Sequence, residues 1–85
     1  MNSWEHIRAA GTYVLDTNAG VLKSITINTT TGGACTVYDG LTVAGRQIAV
    51  LKTAIPEQTL FYDIPYTTGL TIVLATSGDL TVVFT

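Results

Sequence analysis

From Gly11 onward, a cluster containing Gly, Pro or Asn breaks this chain every eight to twelve residues. The segments between the breaks are rich in Val, Ile, Leu and Thr, sixteen Thr in all. Such spacing and composition predict a chain built almost wholly of β-strands. The expected strands run Gly11–Thr17, Val21–Thr29, Ala34–Asp39, Arg46–Lys52, Thr59–Asp63, Leu70–Thr76 and Leu80–Thr85. About seven short strands joined by short loops make an all-β chain, a single small antiparallel β-sandwich, jelly-roll-like or Ig-like. Period-two alternation puts Val21, Ile25 and Ile27 on one face, with Ile48 and Val50, Leu70, Ile72 and Leu74, and Leu80, Val82 and Phe84 as further inward sets. Ser77-Gly78-Asp79 reads as a tight hairpin between the last two strands. Only Ser3–Ala10 is ambiguous: Trp4, Ile7 and Ala10 fit a helical spacing over barely two turns, too short to be stable alone. The expected organisation is an N-terminal arm over residues 1–10 and a sandwich domain over residues 11–85.

An 85-residue chain holds one domain and buries only about 60–65% of its unfolded surface. It therefore needs help to be stable. Cys35 is the sole cysteine and closes no internal bridge, and with His6 the sole histidine no metal-ligand set forms, so neither metal nor cofactor is expected. Oligomerisation is the remaining staple. Charged residues are 12% of the chain against 47% hydrophobic, too few to coat a free-standing surface, so the expected partner is first of all another copy of itself. The net charge of −2, with Arg8, Lys23, Arg46 and Lys52 scattered, argues against nucleic acid. The start, Met1-Asn2-Ser3-Trp4-Glu5-His6, has no basic stretch followed by an apolar one, so no signal peptide is expected. No apolar run nears the roughly 20 residues of a membrane-crossing helix, so no membrane partner is expected either.

No set of residues reads as catalytic, and the chain is expected not to be an enzyme. His6 lacks the company a triad or zinc site needs. Cys35 lies among Ala34 and Val37 with no neighbouring cation to lower its pKa, and reads as a small buried hydrophobe. Asp16, Asp39, Asp63 and Asp79 fall at strand ends and turns, where Asp accepts backbone hydrogen bonds. Gly32-Gly33 has no Lys-Ser/Thr after it and cradles no phosphate. Tyr13, Tyr38, Phe61, Tyr62 and Tyr66 are candidates for a stacking surface that would suit a receptor or glycan.

One ordered set of motifs goes further. It begins with Gly20-Val21-Leu22-Lys23-Ser24-Ile25-Thr26-Ile27-Asn28-Thr29, then Gly32-Gly33 and Thr36-Val37-Tyr38-Asp39-Gly40. It continues through Gly45-Arg46-Gln47-Ile48-Ala49, Tyr62-Asp63-Ile64-Pro65, Gly69-Leu70 and Gly78 to Phe84. The set resembles small virion-associated structural proteins of tailed bacteriophages over roughly Gly11 to Thr85. The resemblance implies a non-enzymatic virion component, assembled in the host cytoplasm. Most directly it implies a homo-oligomeric capsid decoration, or cement, subunit contacting the major capsid protein. A neck or tail position and a receptor- or glycan-binding module are the alternatives. For the interface, Trp4, Ile7 and Tyr13 are the expected anchors, because large aromatics dominate interface energetics.

Overall fold

The computed structural model describes residues 3–85, which form eight strands and, among those residues, no helix. The strands are β1 (Ser3–Ile7), β2 (Gly11–Asp16), β3 (Gly20–Thr29), β4 (Cys35–Asp39), β5 (Arg46–Leu51), β6 (Gln58–Tyr66), β7 (Leu70–Leu74) and β8 (Asp79–Phe84). They build two four-stranded antiparallel sheets, sheet A in the order β1-β8-β3-β6 and sheet B in the order β2-β7-β4-β5. Consecutive strands alternate between the sheets except at β4–β5, which is the eight-stranded jelly-roll order and not the Ig-like one. The sandwich is thus all-β as expected, with one strand more than the turn spacing indicates.

The added strand is β1. It lies antiparallel on β8, in register from Ser3↔Phe84 to Ile7↔Leu80. Trp4, Ile7 and Ala10 therefore do not form a helical stripe, and the sandwich begins at Ser3 and not at Gly11. The first two residues of the expected arm lie outside the described residues. The physical reason is competition: a two-turn helix has no stability of its own, whereas the edge of β8 offers a full backbone ladder. Ile7 also enters the core at 3% exposure.

Ser77-Gly78-Asp79 does not close a hairpin either. β7 belongs to sheet B and β8 to sheet A, so this segment crosses from one sheet to the other. The crossing lets Leu70, Ile72 and Leu74 join Leu80, Val82 and Phe84 in one core, all six nearly excluded from water. Burial of each such side chain stabilises by about 1.5–3 kcal/mol.

Bulges correct the face assignments. One between Leu22 and Ser24 shifts the alternation of β3, so Leu22, at 0% exposure, shares the inner face with Ile25 and Ile27 in place of Val21. Another at Val37/Tyr38 does the same for β5: Leu51 is buried and Val50 points outward, 49% exposed. At one end of the sandwich the buried Tyr66 donates its hydroxyl to Asp16 at 2.7 Å. Nearby, Asp39 accepts from the backbone N–H groups of Thr67 and Thr68 at 3.0–3.1 Å, pinning the β6–β7 turn.

Candidate functional site

The two outer sheet faces differ in chemistry, and the registers define both. On sheet A one cross-strand row reads Trp4, Val83, Ser24, Phe61 through β1, β8, β3 and β6. Its two ends are exposed aromatics, Trp4 at 66% and Phe61 at 82%. Three strand spacings of about 4.8 Å put them ~14 Å apart across a floor of small side chains. The next row is His6, Thr81, Thr26, Thr59, in which Thr26 and Thr59 hydroxyls lie 3.0 Å apart. This face carries charge. His6 pairs with Asp79, which also accepts from Asn28 at 3.1 Å, and Lys23 pairs with Asp63 at 3.3 Å. Hydrogen bonds from His6 and Asn28 hold the Asp79 carboxyl below its ordinary range.

On sheet B the corresponding rows are Thr12, Val73, Thr36, Val50 and Val14, Thr71, Tyr38, Gln47. Neither contains a charged residue. Val14 and Val50 are about half exposed, and the Thr71 hydroxyl is satisfied internally by the Gly40 carbonyl at 2.8 Å. The charged residues of these strands, Asp16, Asp39 and Arg46, stand level with Leu70 on the other face parity, at one end of the sheet.

A cleft of about 430 Å³ opens where the β5 edge (Arg46, Gln47, Ile48) meets β6 (Ile64, Pro65), with Asp39 and Thr67 at its end. Asp39 is engaged by Thr67 and Thr68, and those backbone donors hold its carboxyl below the usual range. The cleft lining includes no Cys, Ser or His. Cys35 is buried at 1% exposure, and burial pushes its thiol up to about 12, so it is the inert hydrophobe expected. Among the described residues, no three of His, Cys, Asp and Glu gather in a metal-sized cluster.

The three expected anchors do not form one patch. Trp4 is on the outer face of sheet A. Ile7 is in the core, out of reach of any partner, because its parity on β1 matches Leu80. Tyr13 sits half-buried opposite Ile72 and donates its hydroxyl to the Ala9 carbonyl at 2.6 Å. The five aromatics proposed for stacking are likewise dispersed, with Tyr66 in the core, Tyr38 on sheet B and Phe61 on sheet A. Sequence reasoning named Phe61 among the stacking candidates, and it is exposed, but missed Val14 and Val50 as surface residues. For Phe61 the signal was present, since Leu60 and Tyr62 flank it and all three cannot face inward. For Val50 it was hidden by the bulge.

No family model matches the chain, and no curated protein matches it. Among solved structures, the chain is similar to the core of NLP from Drosophila, a structure reported for pentamer formation and histone binding. The likeness has a TM-score of 0.61 at 17% identity and covers 100% of this chain and 96% of that one. At that identity it shows the fold. It also overturns the reading of the chain as a bacteriophage capsid decoration, neck or tail protein. The sandwich expected of such a protein is instead shared end to end with a pentamer-forming, histone-binding core. The capsid and tail partners and the virion location, which rested on that reading, fall with it.

Proposed function

We propose that this chain is a non-enzymatic binding protein, a self-assembling jelly-roll subunit whose assembly takes up a basic protein of the histone kind. The observation that carries this reading is the similarity of the whole sandwich to the NLP core, across nearly the full length of both chains. Composition supports the self-assembly half, because 12% charge and 47% hydrophobic residues leave apolar surface that a lone 9.0 kDa chain does not cover. Sheet A supports the binding half. Trp4 and Phe61 offer exposed aromatic faces for Arg and Lys, and the exposed Asp63 and Glu5 share their strands.

Native mass spectrometry gives the first test, with a species of five copies of the 9.0 kDa chain as the expected result. The second is titration of the assembly with recombinant core histones, followed by Trp4 fluorescence at several salt concentrations. Saturable binding that weakens with salt supports the reading. A strictly monomeric chain that leaves histones untouched at physiological salt sinks it.

A further inference from the structure

We propose that the outer face of sheet B is the surface on which a second copy of this chain seats. The inference rests on the self-assembly reading above and assigns it a surface. Charge is the first argument. The two rows across β2, β7, β4 and β5 hold only Thr, Val, Tyr and Gln, while the opposite face holds His6, Asp79, Lys23 and Asp63. A basic partner finds no carboxylate in these two outer rows and an acidic one finds no cation. What complements a neutral, valine- and threonine-studded sheet is another surface poor in charge, and a second copy, with 12% charged residues, offers one. In a ring of five the contact is head-to-tail, so sheet B meets a different patch of the next copy and not that copy's own sheet B.

Area is the second argument. The molecule measures 29 × 26 × 16 Å, the short axis being the thickness of two stacked sheets. One broad face therefore spans roughly 750 Å², close to the ~800 Å² per partner that a stable interface buries. Burying this face leaves no ion stranded, because no ion is on it. The most central hydroxyl, that of Thr71, is already satisfied from within the subunit, so docking costs it nothing. Val14 on β2 and Val50 on β5 stand on the two edge strands, about half exposed as monomer residues. Both are positioned to be covered at opposite borders of one contact.

Analytical ultracentrifugation of the full chain and three variants tests this. Val50→Asp and Val14→Asp put a carboxylate into the proposed contact from separate strands, and each side chain is open to water in the lone subunit. Phe61→Asp does the same on the outer face of sheet A. Circular dichroism checks that each variant keeps its strands. The expected result is an assembled parent and an assembled Phe61→Asp, with the dissociation constant raised at least 100-fold in whichever folded sheet B variant is measured. If Val50→Asp and Val14→Asp assemble like the parent, the face assignment is overturned while self-assembly stands. If the parent itself is monomeric at about 100 µM, both are overturned.

Discussion

Cys35 pairs in register with Leu74 and Leu51 and has 1% exposure, and loss of hydration pushes its thiol up to about 12. The thiolate is the reactive form, so the folded protein at pH 8 should not react with Ellman's reagent within an hour, whereas the chain in guanidinium should react stoichiometrically. Rapid labelling of the native state would contradict the burial. Gly20 makes a different single-residue demand. A Cβ there would lie 2.0 Å from the Thr85 carbonyl oxygen and 2.6 Å from the Tyr66 hydroxyl. Thr85 N–H donates to the Val21 carbonyl at 2.9 Å, so relief requires breaking that tie. Gly20→Ala should cost about 2 kcal/mol by urea denaturation, in the range of other overpacked sites. Asp39 sets a pH dependence. The Thr67 and Thr68 amides lower its folded pKa, so its contribution is present above the unfolded value of 3.8 and is lost as pH falls through the folded one. Tm should be flat from pH 7 to 5 and drop below pH 4, with a smaller drop in Asp39→Asn, as followed by differential scanning calorimetry.

At the scale of the strand, β6 shows how an edge is kept from pairing with foreign chains. It is paired on one side only, by β3, and is nine residues long. Asp63 has φ +66°, at the bulge opposite Lys23, and Pro65 removes a ladder donor two residues on. A β-branched residue fits φ > 0 poorly, so Asp63→Val should destabilise by about 1–2 kcal/mol and promote aggregation, while Asp63→Gly should not. Thermal melts with light scattering separate the two. The same strand marks what was legible beforehand. Turn residues and alternation placed the seven strands from β2 to β8 within a residue or two of their ends, except that β6 runs on through Ile64 and Pro65 to Tyr66. An edge tolerates a proline that a central strand rejects, and edge position is a property of the sheet, not of the segment. The inverted faces of Val21 and Val50 have the same origin: a bulge takes one extra residue against a partner strand and leaves no mark in its own sequence. Ile7 was legible as apolar, but its place in the core required knowing that β8 would accept β1. As for the site, the scarcity of charge announced an interaction surface. The difference in charge between the two outer faces depends on the strand order, which no local pattern carries.

For the molecule as a whole, the topology joins the two ends of the chain. Ser3 pairs with Phe84 and Trp4 with Val83, so β1 can complete sheet A only after the last strand has been placed. Closing a loop of this length costs more entropy than closing a short one, by about 2 kcal/mol for some 80 residues against five. Such non-local pairing puts folding of the parent chain in the range of about milliseconds to seconds. Trp4 is the only tryptophan, and its fluorescence reports the pairing directly. A circular permutant that links the two ends through a few Gly and Ser, reopened between Thr42 and Val43, converts β8–β1 into a local hairpin. It breaks no strand, because residues 40–45 lie between β4 and β5. If β1 docks on β8 before the folding barrier, the permutant should fold about tenfold faster in stopped-flow refolding, since most of the closure entropy is then removed from the barrier. Its unfolding rate should be nearly unchanged, because the native contacts are the same. An equal folding rate with about tenfold slower unfolding would instead place β1 docking after the barrier, making the strand that carries Trp4 the last part of sheet A to form.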